Sequence, residues 1–551
     1  MCKTKRLRAS NPSADSLQSK IVRALIQCSF DDKLFLPGCQ FENLITKTSI
    51  EDELRLTGQP SNLSEEIFKK SRKVFAILVY IGMVKCIGCL CRIGLTNERL
   101  PVQDDESEIF ERCCPKHEWT LKNVQDFIRD QWIFQSPTFG ECQGHKLHKL
   151  CPLPLIECKR ISATEFSEVY RAKIHPSHIS ISMKEKINYV AIKKLSSTDE
   201  QSYTREWASL TAARGLDNKN LIKVIDTFQR DEYFFIFPWA EGGDLREFWK
   251  TYDRSKLHES KLIQWTLEQI HGLSRALVDL HDFKSPSGQE LFGRHGDLKP
   301  ENMLLFGSKG ELGHIQIADL GLGKFHHQAT GDRQGGTETE SCTRMYESPE
   351  SDTESTQPRS RKYDVWSLGC IFLEFVIWAL RGFDGVEEFK RHRAGHSDRA
   401  KYSRFFVITK TRQDNTPLEA AIHPVVRLWI DEIYKDPRCD IDTALRDLVT
   451  VIDKKLLQVK VNGDGNRIHA SELSDELEKI VSRAKSDPLY LFNMASTDSL
   501  SPNPGPPRET GFRQVESVLA PPTPFRAGHI SPGGSNSDDL GDKVTVRPPT
   551  T

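Results

Sequence analysis

The central part of the sequence, residues 155–485, predicts a fold of mixed helices and strands, of the α/β or α+β class. Short apolar runs typical of strands alternate there with longer stretches of helical periodicity. Residues 1–150 carry helical periodicity in runs such as SLQSKIVRALIQ and LKNVQDFIRDQWIF, which indicate a mostly helical accessory region. From Ser486 the composition shifts to Pro, Ser, Thr and Gly, so we expect residues 486–551 to form a disordered tail.

The composition is typical of a soluble globular chain. Of the 551 residues, 28% are charged and 38% are hydrophobic, and the net charge is −1. A chain with this net charge has no overall positive electrostatic field to attract nucleic acid, so we expect no nucleic-acid partner. The first residues, MCKTKRLRAS, lack the apolar core of a secretory signal, which favours a cytoplasmic location, with the nucleus as the alternative. We expect the 14 cysteines to be thiols rather than disulfides.

One apolar run, from Val74 to Gly94, has the length of a membrane span. Lys85 interrupts this run, and three glycines reduce its apolar content. We therefore predict a buried helix over Lys73–Val84 and no membrane span. The run also contains the motif CIGCLC. Its cysteines could begin a zinc site or serve as small apolar side chains, and the lack of a second CxxC favours packing. The residues of that motif, and those that would have to complete the site, are Cys86, Cys89, Cys91, Cys113, Cys114, Cys142, His145, His148 and Cys151.

An ordered series of segments runs through the central region. In chain order they are ISATEFSEVYRAKI (161–174), NYVAIKKL (188–195), REWASL (205–210), YFFIFPWAEGGDL (233–245), HGDLKPEN (295–302), IQIADLGLG (315–323), CTRMYESPE (342–350) and YDVWSLGCIFLEFV (363–376). Because side chains alternate along a strand, we expect Lys193 to point inward and Lys194 toward solvent. We expect Asp199 and Glu200 to lie in a polar turn before the helix that contains Glu206.

This series resembles the eukaryotic protein kinase superfamily over about residues 155–485, because many weak motifs occur in the right order. The residues of the HGDLKPEN segment are also similar to those of kinase-like proteins of filamentous fungi. The resemblance implies an α+β bilobal fold. It places a β-rich N-lobe at about 155–240, a helical C-lobe at about 241–485 and an insertion at about 382–435.

The resemblance also implies the catalytic residues. Asp297 would orient the attacking hydroxyl group, and Lys299 would lie near the γ-phosphate of ATP. Asn302 and Asp319 would supply the hard oxygen ligands that Mg²⁺ prefers. Asp364, in DVWSLG, would anchor the backbone of the catalytic loop.

The same resemblance implies the nucleotide site. Lys193 would contact the α- and β-phosphates and would be held by an ion pair with Glu206. Phe237 would be the gatekeeper, Ala240 would contact the adenine through its backbone, and Asp244 would bind the ribose. Apolar side chains would enclose the adenine ring: Val169, Ala191 and Leu304.

The loop that covers the phosphates departs from the family pattern. Ser162, Thr164 and Ser167 stand where a kinase has the three glycines of G-x-G-x-x-G. Glycine lets the backbone approach phosphates without a Cβ in the way. Serine and threonine are small and can donate hydrogen bonds, so we expect ATP binding to be weakened but not excluded.

Other positions bear on regulation and specificity. Gly296 replaces the loop Arg that in many kinases receives a phosphorylated residue, so activity is not expected to depend on that pairing. Thr343 and Lys299 favour serine/threonine specificity. The resemblance places the SPE triplet on the substrate side, and its Glu350 is expected to pair with a distant Arg, either Arg467 or, as the second choice, Arg438.

We therefore interpret the chain as an ATP- and Mg²⁺-dependent serine/threonine protein kinase acting on a protein substrate. The alternative is a pseudokinase that serves as a nucleotide-binding or scaffold module. A kinase-fold enzyme acting on a small molecule is a third hypothesis. Residues 1–150 are expected to bind a protein partner.

Overall fold

The computed structural model describes residues 16–113, 119–164, 167–180, 188–196, 200–282, 294–308, 310–320, 344–353, 360–395, 403–410, 419–461, 463 and 466–492. Some sequence predictions fall outside these residues. They concern Cys114, the side chain of Cys113, Asp199, Thr343 and the tail beyond residue 492. The predicted start of the disordered tail at residue 486 is wrong, because one helix ends at Ser486 and another covers Pro488–Leu491, where the Tyr490 side chain is buried.

The described helices are distributed over the whole described chain. They are α1 (Leu17–Ala24), α2 (Gly38–Leu44), α3 (Lys47–Leu56), α4 (Ser64–Lys70), α5 (Arg72–Ile81), α6 (Ile87–Arg92), α7 (Glu108–Cys113), α8 (Leu121–Asp130), α9 (Glu200–Gly215), α10 (Leu245–Thr251), α11 (Glu259–Asp282), α12 (Glu350–Thr353), α13 (Lys362–Ala394), α14 (Pro424–Tyr434), α15 (Ala444–Val451), α16 (Ala470–Ser486) and α17 (Pro488–Leu491). The strands are β1 (Ile26–Gln27), β2 (Leu34–Phe35), β3 (His145–Lys146), β4 (Leu155–Ala163), β5 (Ser167–Ile174), β6 (Val190–Leu195), β7 (Asp226–Arg230), β8 (Glu232–Pro238), β9 (Met303–Phe306), β10 (His314–Ile317), β11 (Phe406–Lys410) and β12 (Glu419–Ile422).

The N-terminal helices form an apolar core of their own. Helix α5 lies at its centre, with every side chain from Val74 to Val79 buried. Gly82 ends the helix in the left-handed conformation, with φ 75°, which glycine adopts without steric cost. The buried helix predicted over Lys73–Val84 is therefore confirmed, and its last residues belong to the turn beyond Gly82.

The cysteines of the CIGCLC motif lie around α6. Cys86 is buried, and Cys89 and Cys91 are partly buried against the core of the N-terminal helices. No disulfide joins the ten cysteines whose side chains the structure describes. Within the described residues, no group of three or more His, Cys, Asp or Glu side chains could hold a metal ion.

A six-stranded sheet forms the small lobe, in the order β3-β7-β8-β6-β5-β4. All neighbouring strands are antiparallel except β3, which pairs in parallel with β7. The apolar residues of the inner strands bury against one another, among them Ile192, Phe228 and Ile236. Cys28 and Phe139 belong to the same core, so segments preceding residue 150 also pack against this sheet.

Asp226 fastens the segment around β3 to the sheet. Its fully buried carboxylate accepts hydrogen bonds from the Gly140 N–H at 2.9 Å and the Gly144 N–H at 3.2 Å, and it contacts His145 Nε2 at 3.2 Å. Burial alone would raise the pKa of Asp226, but these partners outweigh it and lower the pKa. The domain boundary near residue 150 stays a prediction, and the strand at 145–146 lies on its N-terminal side.

The large lobe is helical. Helix α11 packs along α16 and against α13, whose first twenty residues are buried almost without interruption. Gly382, with φ 74°, interrupts α13 and redirects its last turns. Among the described helices, α13 is the one long and apolar enough to cross a membrane, and its most apolar window is 100% buried within the protein.

Glu350 and Arg467 form a bidentate ion pair inside the large lobe. The Arg467 guanidinium donates to the two Glu350 oxygens at 2.8 and 3.1 Å, and also to the carbonyls of Lys362 and Gln458. Arg467 is fully buried. Arg438 pairs with Asp436 and Glu259 instead. The preference for Arg467 over Arg438 as the partner of Glu350 is confirmed.

The first prediction concerns this pair. Arg467→Ala should destabilise the protein by about 3–5 kcal/mol, because it leaves the Glu350 carboxylate buried without its cation. We expect a clear fall in the midpoint of thermal unfolding. The matched control is Arg483→Ala, which removes an exposed pair with Asp442 and should leave the midpoint nearly unchanged. Equal midpoints for the two variants would contradict the prediction.

Candidate active site

The loop HGDLKPEN lies between α11 and β9, and a buried carboxylate holds its first residues. Asp364 Oδ2 accepts a hydrogen bond from the His295 N–H at 2.7 Å, and Oδ1 accepts one from the Gly296 N–H at 2.8 Å. His281 Nε2 lies 2.9 Å from Asp364 Oδ2. Burial alone would raise the pKa of Asp364, but the contact with His281 and the other donors outweigh it, so the carboxylate is held charged.

Gly296 adopts a left-handed backbone, with φ 81°. A side chain is strained in this region, and glycine is not. The residue that departs from the kinase pattern is therefore the residue that this backbone favours.

The three predicted catalytic residues of the loop lie in direct contact. Lys299 Nζ donates to Asp297 Oδ2 at 2.8 Å. The Asn302 amide nitrogen donates to the Asp297 carbonyl at 2.8 Å and to its carboxylate at 3.2 Å. Burial lowers the pKa of Lys299, but the nearby carboxylates of Asp297 and Asp319 outweigh it and raise the pKa. The loop thus presents one carboxylate between an ammonium group and an amide.

Lys193 connects the two lobes. From strand β6 its Nζ contacts Glu206 Oε1 of α9 at 3.1 Å and Asp319 Oδ1, beyond β10, at 2.6 Å. Burial alone lowers the pKa of Lys193, but the carboxylates of Asp319 and Glu206 raise it well above its usual range. Burial alone would raise the pKa of Asp319, but the Lys193 ammonium outweighs this effect and lowers the pKa. The ion pair that the resemblance implies is present, together with a second one to Asp319.

The neighbouring lysine behaves differently. Lys194 lies on the other face of β6 and pairs with Glu232 at 2.9 Å and Glu168 at 3.5 Å. The expected alternation of the two lysines is confirmed. The expected polar turn at Glu200 is wrong, because α9 begins at that residue. A carboxylate in the first turn of a helix interacts favourably with the helix dipole, which accounts for the earlier start.

The hairpin of β4 and β5 carries the glycine-free loop. Thr164 Oγ1 donates to the Ser167 carbonyl at 3.1 Å and accepts from the Ser167 N–H at 3.1 Å. The Thr164 N–H also donates to the Ser167 carbonyl, at 2.8 Å. Ser162 lies beside an irregularity in the pairing of β4 with β5. The threonine side chain therefore closes the tip of the hairpin.

Three of the residues predicted around the adenine lie on the neighbouring strands β5, β6 and β8. Phe237 is buried and lies opposite Ala191, and Val169 lies opposite Lys193. The next residues along the chain form the linker between the lobes. In it, the Trp239 N–H donates to the Tyr189 carbonyl at 3.2 Å, and Ala240 is buried.

Asp244 and Leu304 lie together at the start of the large lobe, where they form an isolated bridge. Asp244 is the N-cap of α10, and its carboxylate accepts from the Glu247 N–H at 2.9 Å. Burial raises the pKa of Asp244. The structure thus gives Asp244 a capping role that the sequence did not predict, and its contact with ribose stays a prediction.

Asn302 and Asp319 are the residues that could hold a divalent cation. The Ala318 N–H donates to the Asn302 carbonyl at 2.9 Å and joins their two segments. One carboxylate and one amide oxygen are a donor set that suits Mg²⁺, which is usually bound by few protein ligands and the substrate phosphates. The residues present therefore fit the ion.

Comparison with known proteins identifies the family. Residues 159–438, slightly more than half of the chain, match the model of the protein kinase domain. The chain belongs to the protein kinase family. Protein kinase domains in general use ATP and a divalent cation, and they act on protein substrates. The Glu350–Arg467 pair shows that the kinase domain's packing extends beyond the matched residues.

The relatives of this kinase domain are protein kinases. The probable cyclin-dependent kinase 8 of Dictyostelium discoideum is 32% identical over 204 residues, which cover 34% of this chain and 47% of the relative. The probable serine/threonine-protein kinase fhkD of the same organism is 33% identical over 167 residues, covering 28% and 20%. Human 3-phosphoinositide-dependent protein kinase 1 is 30% identical over 167 residues, covering 29% and 25%. The chain therefore spans less than half the length of these relatives.

The site also contains a residue that sequence reasoning missed. His281 lies in the last turn of α11 and supports Asp364. Its place on the buried face of an amphipathic helix was the available signal, but that place alone does not identify the partner.

The second prediction concerns the anchor. Asp364→Asn should loosen the start of the catalytic loop, because an amide cannot accept from all three of the donors that face it. Hydrogen exchange measured by mass spectrometry should be at least about tenfold faster at His295 and Gly296. Asp442→Asn, at an exposed ion pair, is the control and should leave exchange in this loop unchanged. Equal exchange in both variants would refute the anchoring role.

Proposed function

We propose that this protein kinase domain is catalytically active and transfers the γ-phosphate of ATP to a serine or threonine hydroxyl of a protein. The observation that carries the proposal is the position of Lys193, in contact with Glu206 and Asp319 at once. One cation then joins the sheet, helix α9 and the carboxylate proposed to bind the metal. Catalysis of phosphoryl transfer is mainly positioning and charge stabilisation, so an assembled site supports activity.

The residues have separate proposed roles. Asp297 orients the substrate hydroxyl and takes up its proton, and Lys299 stabilises charge on the phosphoryl group in transit. Lys193 holds the α- and β-phosphates. A bound Mg²⁺, held by Asn302 and Asp319, supplies charge neutralisation for the phosphates. The Lys299–Asp297 contact supports a serine/threonine acceptor, because it places the lysine next to the carboxylate proposed to orient the attacking hydroxyl.

A pseudokinase is the second candidate, and one observation favours it. The Thr164 hydroxyl is engaged with Ser167 at the tip of the hairpin, where an active kinase would present backbone N–H groups to the phosphates. In that case the domain would be a nucleotide-binding or scaffold module. The N-terminal helices would then be the natural site for a protein partner.

The third prediction separates the two functions. The full chain, with Mg²⁺ and labelled ATP, should phosphorylate at least one of casein, histone and myelin basic protein. Asp297→Asn should reduce transfer by at least about a thousandfold, because the variant loses the carboxylate that orients the hydroxyl. The same variant should keep the increase in melting temperature that ATP produces.

The outcomes are distinct. Transfer that is lost in Asp297→Asn supports the kinase. An ATP-induced thermal shift without transfer by the wild type supports the nucleotide-binding pseudokinase. The absence of any thermal shift contradicts both the kinase and the nucleotide-binding pseudokinase.

The fourth prediction concerns the glycine-free loop. Replacing Ser162 and Ser167 by glycine should lower the KM for ATP several-fold, because removing two Cβ atoms allows a closer approach of the backbone to the phosphates. Thr164 is left in place because it closes the hairpin. Ser180→Gly is the control, at a residue whose N–H donates to the Phe139 carbonyl at 2.8 Å, and it should leave the KM for ATP unchanged. An equal KM in the double variant and the wild type would show that the serines do not limit binding.

A further inference from the structure

The segment Arg344–Thr353 includes the SPE triplet that the kinase resemblance assigns to the substrate side. Side chains from the predicted insertion, residues 382–435, contact this segment at several points. Arg393 approaches Met345 Sδ at 3.6 Å, and the ring of Phe405 lies 6.1 Å from that of Tyr346. Arg404 reaches two carboxylates further along the segment. The insertion therefore lies directly against the segment, and not at a distance from the site.

Arg404 makes the charged part of this contact. Its guanidinium is hydrogen-bonded to Asp352 and lies 3.6 Å from Glu347 Oε2. The side chain is only 13% exposed and also lies 5.2 Å from the centroid of the Phe406 ring. A planar guanidinium can bridge two carboxylates in a way that a single ammonium group cannot. Arg404 thus spans the segment from Glu347 to the end of α12.

The insertion is itself fastened to the core of the large lobe. The fully buried guanidinium of Arg393 donates to Glu374 at 3.1 Å and to the Ser403 carbonyl at 3.1 Å. It lies 3.9 Å from the ring centroids of both Phe389 and Phe405. Because Arg393 fixes Ser403, the next residue, Arg404, has a rigid support.

The same carboxylate of Glu374 connects this support to the catalytic loop. The Tyr346 hydroxyl donates to Glu374 at 2.7 Å, and Arg246 is hydrogen-bonded to Tyr346. Arg246 also donates to Glu301, within the catalytic loop, at 2.9 Å. A continuous polar network therefore runs from the insertion, through the substrate-side segment, to Glu301 of the catalytic loop.

We propose that Arg404 is a positioning residue for the protein substrate, holding the segment Arg344–Thr353 in place through Glu347 and Asp352. The inference rests on the proposed kinase function. It assigns to the insertion a role in substrate binding. The contacts of Arg404 are with Glu347, Asp352 and Phe406, none of which is proposed to hold ATP, so its loss should change the binding of the protein substrate and not that of the nucleotide.

The experiment compares Arg404→Ala with the wild-type full chain. With the best acceptor among casein, histone and myelin basic protein, the KM for the acceptor should rise about tenfold, because two carboxylates lose their shared cation. The KM for ATP should stay within about twofold. Hydrogen exchange in residues 344–353 should accelerate. Arg404→Lys keeps the positive charge but cannot bridge both carboxylates. Its acceptor KM should lie between those of the wild type and Arg404→Ala.

The matched control is Arg427→Ala. Arg427 lies in the same predicted insertion and pairs with Asp453. Arg427→Ala therefore removes an arginine–aspartate contact that does not involve the substrate-side segment. Acceptor KM and exchange in 344–353 should match the wild type. If Arg404→Ala unfolds, Glu347→Gln removes one contact and is judged by the same two measurements.

Two failures can be told apart. If the wild type transfers no phosphate, the proposed function fails, and exchange in 344–353 still tests the contact. If the wild type is active and Arg404→Ala changes neither the acceptor KM nor this exchange, the positioning role is overturned. An equal rise in the KM for the acceptor and in the KM for ATP would also overturn the positioning role.

Discussion

The Lys193 cation, shared between two carboxylates, is the interaction on which the rest of this site depends. Glu206 comes from α9 and Asp319 from the segment after β10, so the pair of contacts sets the separation of the two lobes. Burying three charged groups is costly, and the cost is offset only while all three stay together. If either carboxylate moves away, the remaining buried charges lose their compensation. The arrangement is therefore closer to a two-state contact than to a continuously adjustable one.

Segments outside the minimal kinase pattern support both halves of this arrangement. On the small lobe, Asp226 holds the segment around β3. Gly144 of this segment lies close to helix α9, because a Cβ added at Gly144 would be 3.8 Å from Trp207, the residue after Glu206. On the large lobe, Arg393 and Arg404 hold the substrate-side segment. Asp226, Arg393 and Arg404 each contribute a buried or nearly buried charge to these contacts. The additions to the chain are therefore fastened to both lobes by charged side chains.

The sequence was a good guide where a local rule applied. Alternation along a strand separated Lys193 from Lys194, and apolar periodicity located α5 within a few residues. The order of the motifs predicted which residues meet around Asp297. It could not reveal the contact of His281 with Asp364 or of Arg404 with Asp352. These pairs join residues 83 and 52 positions apart, and neither leaves a periodic or local trace. Tertiary contacts between charged side chains are decided by the packing of whole elements.

The glycine-free loop and the assembled catalytic residues affect different steps. The side chains of Ser162 and Ser167 are proposed to hinder the approach of the loop to the phosphates, which would weaken ground-state and transition-state binding alike. Such a uniform loss raises KM with little effect on the chemical step. The residues around Asp297, in the proposed kinase, act on the developing charge and would affect kcat. Their contacts are intact here, with Lys299 Nζ 2.8 Å and the Asn302 amide 3.2 Å from the Asp297 carboxylate. A weak nucleotide site and a competent catalytic loop are therefore compatible, and the loop alone is insufficient ground for inactivity.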